Sequence, residues 1–397
     1  MMSFLSARRM EDSFRIHIYT SEGDIVDEAR ILTAFLDSGA DCIHLRKPGK
    51  AADYIRSVLE KLPKRHINNV TLHSYPGLAA EYGTGFQLNS RCPRPDFDFI
   101  RLSKSCHTIN EVAGSSELDF VTLSPVFNSI SKKGYEAAFN IPDLNLKGFK
   151  TDIIALGGVE LSGINSLKTA GFAGAAFLGS VWNRENGVED MLKYLRMRNV
   201  CMQFITDGKD IMTTLRQAGS ALEGGCRWIQ IRMKDADSGE VRETLQELMP
   251  RCGEYCATLI VDDNVELADI CHGVHLGQND MPVAEARKKL STEKIIGLTV
   301  NNPEQLKASE DSLPDYYGIG PYRFTTTKKN LAPVLGIEGY KRMLPELKRP
   351  FVAIGGIHPE DIPAMKDAGI KGFAISSVIT QSDDPAGMTE KLTKLIY

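Results

Sequence analysis

The sequence predicts an α/β protein built from two tandem (β/α)8 TIM barrels that arose by internal duplication. Two observations lead to this prediction. Segments recur along the chain, because residues 41–47 resemble 227–234 and residues 155–159 resemble 353–357. Each half also contains eight short apolar segments separated by longer amphipathic ones. Such alternation is typical of parallel β/α units, and eight units in both halves favour closed barrels over an open sheet.

Each predicted strand is a short apolar run that ends at polar or glycine residues. In the first half these runs are 15–20, 42–46, 70–73, 85–88, 99–105, 120–126, 153–157 and 175–179. In the second half they are 202–206, 228–233, 258–262, 273–276, 295–300, 316–320, 351–355 and 372–375. The predicted helices repeat apolar residues every three or four positions, as in 25–36, 164–170, 211–222, 240–249 and 281–290.

The offset between the copies sets the domain bounds. It is 186 residues between Arg46 and Arg232 and 198 between Gly157 and Gly355, so the second copy carries added residues. The last helix of the first copy gives way to a new strand near residues 196–200. We therefore predict an N-terminal tail at 1–13, a first barrel at 14–198 and a second barrel at 199–397.

The composition is that of an ordinary globular protein, with 42% hydrophobic and 25% charged residues. A net charge of −4 gives no reason to expect nucleic acid or an anionic membrane as a partner. No apolar run approaches the roughly 18 residues that span a bilayer. The eight cysteines form no C-x-x-C pair, which favours free thiols in a reducing compartment. We expect a cytoplasmic protein that acts on small molecules, and the sequence leaves a homo-oligomer open.

Polar residues alternate with apolar ones at the end of the second strand of the second copy. They are Gln230, Arg232 and Lys234. Alternate residues of a strand share one face, so this pattern directs an amide, a guanidinium and an ammonium group into the mouth of the barrel. Arginine and lysine at such a position suit a multiply charged anion.

Carboxylates follow the next two strands of the second copy. Asp262 and Asp263 end the third strand, and Asp280 follows the fourth. Because these strands are neighbours in a barrel, we expect Asp263 and Asp280 to reach a single ion. A set of oxygen ligands without cysteine favours a hard cation, and Mg²⁺ is the expected cofactor.

The last three strands of the second copy end in groups that suit a phosphate. The loop after the sixth strand is rich in hydroxyls and amines, the seventh strand ends in two glycines, and the eighth in two serines at a helix start. Glycine lets backbone N–H groups approach an oxyanion, and a helix N-terminus favours one. The residues predicted to hold phosphate groups are Thr325, Thr327, Lys328, Gly356, Ser376 and Ser377.

Residues 202–395 resemble the thiamine phosphate synthase family. The resemblance is carried by Gln230-Ile-Arg232-x-Lys234, Val261-Asp-Asp263, His275-Leu-Gly-Gln278-x-Asp280, Thr325-x-Thr327-Lys328 and Ile354-Gly-Gly-Ile357. The chain departs from the family pattern at Asp262, Thr299 and Asn301, where Asn, Ser and His are usual.

The resemblance implies a transferase of thiamine biosynthesis that couples hydroxymethylpyrimidine pyrophosphate to a thiazole phosphate. Pyrophosphate leaves first, and the thiazole nitrogen then captures a pyrimidine-methyl cation to give thiamine phosphate. Asp263 and Asp280 would hold Mg²⁺. The implied catalytic residues on pyrophosphate are Arg232, Lys234 and Lys328. The implied substrate-binding residues are Gln230, Asp262, Thr299, Thr325, Thr327, Gly356, Ser376 and Ser377.

The first copy lacks the carboxylates that end the third and fourth strands of the second copy. It keeps residues that could bind one phosphate, namely Arg46, Lys132, Gly158 and Ser180. This pattern is similar to the thiazole tautomerase relatives of the family, in which a histidine after strand five moves a proton. His107 occupies that position and would be the catalytic residue, since imidazole titrates near neutral pH.

Other functions stay open. The first copy could be a non-catalytic scaffold or a regulatory domain that binds a phosphorylated ligand. The whole chain could be a non-catalytic metabolite-binding protein, or another phosphate-binding barrel enzyme such as a sugar-phosphate isomerase. The carboxylates opposite Arg232 and Lys234 disfavour both readings of the whole chain.

Overall fold

The computed structural model describes residues 14–89, 94–128, 137–324 and 332–397. These residues form two compact units that divide between Met191 and Leu192. Each unit contains one closed barrel of eight parallel strands, so the predicted fold class is confirmed. Among the described helices, none is long and apolar enough to span a membrane.

The first barrel follows a simple strand order in which each strand pairs with the next and β8 returns to β1. Its strands are β1 Arg15–Tyr19, β2 Cys42–Leu45, β3 Val70–Leu72, β4 Gly85–Leu88, β5 Leu102–Cys106, β6 Phe120–Leu123, β7 Asp152–Ala155 and β8 Gly174–Phe177. Its helices are α1 Glu28–Asp37, α2 Ala52–Lys61, α3 Pro76–Tyr82, α4 Ile109–Ala113, α5 Ile164–Ala170, α6 Gly179–Trp182 and α7 Gly187–Met197.

The second barrel repeats this order, and β16 closes onto β9. Its strands are β9 Met202–Ile205, β10 Trp228–Ile231, β11 Thr258–Asp262, β12 Gly273–Leu276, β13 Ile295–Val300, β14 Tyr316–Ile319, β15 Phe351–Ile354 and β16 Phe373–Ile375. Its helices are α8 Ile211–Glu223, α9 Ser238–Glu254, α10 Val283–Lys289, α11 Pro303–Ala308, α12 Gly336–Met343, α13 Ile362–Asp367, α14 Ser377–Thr380 and α15 Pro385–Ile396.

Several strands are shorter than the sequence predicts. The run 228–233 was expected to be one strand, but β10 ends at Ile231 because its pairing with β11 stops there. The run 99–105 begins as a strand only at Leu102, whose partner is Phe86. The division between the two units falls within α7, and the predicted boundary at 196–200 overlaps the last two residues of α7 and ends before β9.

The duplication is visible in the hydrogen bonds that join the first two strands of each barrel. The backbone N–H of Arg46 donates to Thr20 Oγ1 over 2.9 Å, and the N–H of Arg232 donates to Thr206 Oγ1 over the same distance. Thr20 and Thr206 are therefore equivalent, as are Arg46 and Arg232. Strand pairing extends this equivalence around both barrels, so each interior position can be compared between the two copies.

The two barrel interiors differ in polarity. The second is filled by an apolar cluster that includes Trp228 and Tyr316, both fully buried. The first contains three histidines in a row, His17, His44 and His73, which we call the histidine file. His17 Nδ1 lies 2.9 Å from His44 Nε2, and His44 Nδ1 lies 3.0 Å from His73 Nε2. Both ring nitrogens of the central His44 therefore have a hydrogen-bond partner.

The histidine file is uncharged at neutral pH because burial lowers the pKa of all three imidazoles. Nearby Arg15 and Arg101 lower the pKa of His17 further, and the pKa of His73 falls to about 3. A histidine whose pKa is lowered on folding contributes stability that is complete above its unfolded pKa near 6.5. This stability is lost as the pH falls below that value, because the unfolded chain takes up the proton first.

We therefore predict that the first barrel is acid-sensitive. Each of the three histidines should lower the free energy of unfolding of the first barrel by up to about 1.4 kcal/mol per pH unit below pH 6.5. The chain has two tryptophans, so in a Trp228→Phe background urea unfolding of the first barrel can be followed by Trp182 fluorescence. His17→Gln copies the residue at the equivalent position of the second barrel, Gln203, and should reduce the slope of stability against pH. An unchanged slope would contradict this account.

Candidate active site

A cavity of about 320 Å³ lies at the C-terminal ends of the strands of the second barrel. It gathers side chains and backbone from strands that are far apart in the sequence. Its lining contains these residues of the predicted site: Gln230, Arg232, Asp262, Asp263, Asp280, Thr299, Gly356, Ser376 and Ser377. The predicted residues Thr325, Thr327 and Lys328 lie outside the described part of the chain.

Two carboxyl groups meet on one side of the cavity. Asp263 follows β11 with a positive φ of 62°, and its N–H donates to the carbonyl of His275 over 2.8 Å. Asp280 accepts the N–H of Gly277 over 2.6 Å, which holds its carboxylate beside the strand end. Burial, the charge of Asp262 and a hydrogen bond with Asp280 raise the pKa of Asp263 to about 7. A metal-free site therefore favours the protonated form of Asp263 below about pH 7.

The donor set of this pair fits Mg²⁺. Asp263 and Asp280 offer only hard oxygen ligands, on one side of a cavity that leaves room for water and a phosphate. A divalent cation would take the place of the proton on Asp263 and remove the repulsion between the two carboxylates. The chemistry of the residues thus fits the cofactor that the sequence predicts.

Arg232 and Gln230 are held by one carboxylate. Arg232 Nε lies 3.0 Å from Asp262 Oδ2, and Gln230 Nε2 donates to Asp262 Oδ1 over 2.6 Å. This clamp fixes both side chains at the cavity wall. Lys234 is placed differently, because β10 ends before it and the alternation of a strand no longer applies. It is exposed and does not line the cavity.

The opposite end of the cavity offers hydrogen-bond donors. Gly355 and Gly356 adopt φ values of 98° and 66°, and a Cβ at Gly355 would lie 2.8 Å from Pro321. These φ values and the close contact favour glycine at the turn, and both glycines line the cavity. Ser376 Oγ is buried at the cavity wall and has no hydrogen-bond partner among the described residues. A buried hydroxyl without a partner is costly, so this end of the cavity suits an oxyanion.

Sequence reasoning assigned no role to His275 and Tyr316, which the structure joins to the predicted residue Thr299 at this site. His275 lines the cavity and contacts both Tyr316 and Thr299. The only sequence signal was the position of His275 in the segment that contains Asp280. Tyr316 gave none, because a tyrosine at the start of an apolar run predicts only a buried strand.

The mouth of the first barrel is built differently. Strand pairing places Leu178 and Gly179 at the positions of Ser376 and Ser377, so the two hydroxyls are absent. Ser180 lies one residue further and donates to the carbonyl of Val159 over 2.8 Å.

The other residues expected to bind phosphate in the first barrel already have close neighbours. Arg46 forms an ion pair with Glu22. A Cβ at Gly158 would collide with the backbone at Phe127 and Asn128. Lys132 lies outside the described residues.

His107 follows β5 and is exposed. Its Nδ1 lies 2.9 Å from the carbonyl of Ser124, which only accepts, so Nδ1 carries the hydrogen and Nε2 keeps its lone pair. Asn301 is its equivalent in the second barrel and donates to the carbonyl of Gly320 over 2.5 Å. The two side chains thus tie the same pair of strands together, and only His107 adds a group that can accept a proton.

A second cluster in the first barrel was not anticipated. Cys42, His17 and His44 bring a thiol and two imidazoles within 4.8 Å of one another. Arg101 Nη2 lies 3.6 Å from Cys42 Sγ, and the two histidines are hydrogen-bonded to each other. These contacts occupy the ligand atoms, and the guanidinium disfavours an added cation. The cluster is accounted for by the packing of the barrel interior.

The closed barrel, the carboxyl pair and the donors at the far end of the cavity define the class of protein: a barrel enzyme that handles phosphorylated substrates. Residues 202–379 match the family described as thiamine monophosphate synthase. The chain is 47% identical over 205 residues to the thiamine-phosphate synthase of Phocaeicola vulgatus, covering 50% of this chain and 99% of that protein. This chain therefore belongs to the thiamine monophosphate synthase family.

Two further comparisons concern the same family. The thiamine-phosphate synthase of Bacteroides thetaiotaomicron is 48% identical over 203 residues, covering 49% of this chain and 97% of that protein. The solved structure of the thiamine phosphate pyrophosphorylase of Pyrococcus furiosus is 32% identical, with a TM-score of 0.45, and covers 50% of this chain and 96% of that one.

We predict that Asp263→Asn stabilises the metal-free protein but abolishes its response to Mg²⁺. A carboxyl whose pKa is raised on folding stabilises the folded state at low pH, and this contribution is lost as the pH rises through about 7. At pH 8 the wild-type protein in a chelator should therefore unfold at a lower temperature than the variant, measured by calorimetry. Adding Mg²⁺ should raise the unfolding temperature of the wild type only.

Asp311 provides the matched control because it is exposed and distant from the cavity. Asp311→Asn should respond to Mg²⁺ as the wild type does. Equal stabilisation of Asp263→Asn by Mg²⁺ would show that the cation binds elsewhere.

Proposed function

We propose that the second barrel couples hydroxymethylpyrimidine pyrophosphate to a thiazole phosphate and releases thiamine phosphate and pyrophosphate. The observation that carries this proposal is the pairing of two anion-binding ends in one cavity. Asp263, Asp280 and Arg232 lie at one end, and Gly356 and Ser376 lie at the other. A cavity of this kind can hold a pyrophosphate ester and a phosphate ester at the same time.

The reaction requires that a multiply charged leaving group departs from carbon. Mg²⁺ held by Asp263 and Asp280 would supply positive charge to the departing pyrophosphate. Arg232, oriented by Asp262, adds a fixed guanidinium at the same end. Gln230 shares that carboxylate and lies against the cavity, so its amide can orient the pyrimidine ring. Thr325, Thr327 and Lys328 are proposed to complete the pyrophosphate site. Lys234 would join them only if its exposed side chain turned toward the cavity.

The thiazole phosphate would bind at the far end of the cavity. Backbone N–H groups at Gly356 and the hydroxyls of Ser376 and Ser377 are suited to its oxygens. Holding both substrates in one cavity brings the thiazole nitrogen to the carbon that pyrophosphate leaves. Because both substrates are already bound, the thiazole nitrogen attacks within one complex, and the two substrates need not collide in solution.

A coupling assay with the two substrates and Mg²⁺ tests the proposal. Asp263→Asn should lower kcat/KM by about 10²–10³-fold, the range seen when one charge-stabilising group is removed from an active site. Asp311→Asn should match the wild type. Full activity of Asp263→Asn would contradict the proposed role of the carboxyl pair, and an inactive wild-type protein would favour a metabolite-binding function.

A second candidate function concerns the first barrel. We propose that it isomerises the carboxylated thiazole phosphate before coupling, with His107 as the base. The hydrogen bond from Nδ1 to the Ser124 carbonyl leaves Nε2 as an exposed acceptor, as proton abstraction needs. A single phosphate would bind through Arg46, Lys132, Gly158 and Ser180. The alternative is a scaffold or regulatory domain, which the ion pair of Arg46 with Glu22 favours.

The second barrel supplies the control that separates these alternatives. His107→Asn should keep the bond to the Ser124 carbonyl, because Asn301 makes the equivalent bond, but it removes the proton acceptor. If the first barrel is a tautomerase, His107→Asn and His107→Ala should both slow turnover of the untautomerised thiazole by about 10²–10⁴-fold. Coupling of the tautomerised thiazole should be unaffected. If neither variant alters either rate, the first barrel is a scaffold or regulator.

The partners we propose are these small phosphorylated substrates. A cytoplasmic location is supported by the seven cysteines of the described residues, all of which are free thiols. The overall charge of −4 and the two carboxylates proposed to bind Mg²⁺ argue against a nucleic-acid partner. Self-association into a homo-oligomer is compatible with this function.

A further inference from the structure

A line of three side chains leads from the interior of the second barrel to its cavity. Tyr316 Oη lies 2.9 Å from His275 Nδ1, and His275 Nε2 lies 2.9 Å from Thr299 Oγ1. Tyr316 is fully buried, whereas Thr299 lines the cavity. A neutral imidazole carries one hydrogen on its two ring nitrogens. The three groups can therefore donate their hydrogens in one of two directions, either from Tyr316 toward Thr299 or from Thr299 toward Tyr316.

The two directions have opposite consequences for Thr299. If Tyr316 donates to Nδ1, the hydrogen of His275 is on Nε2 and is donated to Thr299, whose own hydrogen is then free to point into the cavity. If Nδ1 carries the hydrogen, Nε2 is an acceptor and Thr299 must turn its hydrogen toward His275. Thr299 would offer a donor to the substrate in the first case and only an acceptor in the second.

The surroundings of Tyr316 favour the first direction. Its ring lies among apolar residues, with the indole of Trp228 at a centroid distance of 5.2 Å. Burial raises the pKa of Tyr316, so the phenol keeps its hydrogen. The hydrogen bond that the described residues offer to this phenol oxygen is the one with His275 Nδ1, so a phenol that did not donate to Nδ1 would leave its hydrogen buried without an acceptor.

The first barrel joins the equivalent positions with different residues. Gln87 is equivalent to His275 and Ser105 to Thr299, and Gln87 Nε2 donates to Ser105 Oγ over 3.0 Å. The amide nitrogen also faces Thr122 Oγ1 at 3.4 Å, while the amide oxygen accepts from Ser103. In both barrels a side-chain nitrogen on the fourth strand therefore lies within hydrogen-bond distance of a hydroxyl on the fifth.

The residues around this line show that it is built for an imidazole and a phenol. A Cβ at Gly297 would collide with both Tyr316 and His275, and a Cβ at Gly318 would lie 2.9 Å from the imidazole. The first barrel carries Ser103 and Phe120 at the positions of Gly297 and Tyr316. The change of the donor from amide to imidazole is therefore accompanied by matching changes at two neighbouring positions.

We propose that Tyr316 and His275 are positioning residues that fix the hydroxyl of Thr299 as a hydrogen-bond donor to the substrate. The proposal rests on the coupling function proposed for the second barrel. It specifies the chemistry of the substrate atom that meets Thr299, which must be an acceptor such as a phosphate oxygen or an unprotonated ring nitrogen. A hydroxyl that is oriented before the substrate binds needs no rearrangement during the reaction.

Coupling kinetics test the proposal through a double-mutant cycle. Thr299→Val removes the hydroxyl and should lower kcat/KM by about 10–100-fold, whereas Thr299→Ser keeps it and should lose much less. Tyr316→Phe frees the imidazole to take either tautomer and should cost several-fold in the wild type. In the Thr299→Val background Tyr316→Phe should cost nothing more. Equal losses in both backgrounds would mean that Tyr316 has only a structural role.

A rescue experiment uses the residues of the first barrel. The triple variant His275→Gln, Tyr316→Phe, Gly297→Ser copies Gln87, Phe120 and Ser103 and restores an amide donor to Thr299. It should be more active than Tyr316→Phe alone, provided that thermal unfolding shows a folded second barrel. A folded triple variant that is no better than Tyr316→Phe would overturn the proposal.

A measurement without substrate separates this proposal from the function of the barrel. Long-range ¹H–¹⁵N spectra of the full chain with labelled histidine report which ring nitrogen of His275 carries the hydrogen. The expected result is Nε2–H in the wild type and a mixture of tautomers in Tyr316→Phe. Nδ1–H in the wild type would overturn the proposal even in an active enzyme. Absence of coupling activity with Nε2–H present would instead refute the proposed function.

Discussion

The closed ring of eight parallel strands is the constraint on which the mouth of each barrel depends. Because all eight strands of a barrel run the same way, every residue that follows a strand is delivered to one mouth. Asp263 follows β11, Asp280 follows β12, and Gly356 follows β15, yet all three line one cavity. Distance along the sequence therefore matters little for the site, whereas position relative to the strand end matters greatly. A shift of one residue in register would turn each side chain away from the cavity.

The sequence predicted the fold and the carboxyl pair because both follow from simple patterns. Apolar runs and their repetition identified the sixteen strands, and adjacent strand ends placed Asp263 near Asp280. The end of β10 was less predictable, because the apolar Met233 continues the alternation after the ladder has stopped. Met233 is buried beside the barrel, so its burial reflects packing against the core and gives no sign that the strand is over.

Contacts between distant side chains could not be read from the sequence. The line from Tyr316 through His275 to Thr299 joins three strands, and its existence depends on glycines that leave room for two rings. The histidine file of the first barrel depends in the same way on three neighbouring strands. Each residue alone was compatible with an ordinary strand. Their contacts follow from the pairing register of the strands, which brings together side chains that the sequence separates by tens of residues.

The comparison of the two barrels shows what was lost in the first copy. Ser74 stands where the second barrel has Asp263, and Leu178 stands where it has Ser376. Loss of a carboxylate removes the means to neutralise pyrophosphate, and loss of the serine removes a donor to a phosphate. Among its described residues, the first barrel therefore lacks these two groups of the second-barrel site. What it has instead is a side-chain hydrogen bond between Gln87 and Ser105 and an interior row of neutral imidazoles. An unmatched polar group in a core is costly, so a domain that only decayed would be expected to lose such contacts first. Arg101 Nε is buried without a hydrogen-bond partner among the described residues, yet the imidazoles are joined to one another. These contacts argue that the interior of the first barrel is an ordered structure in its own right.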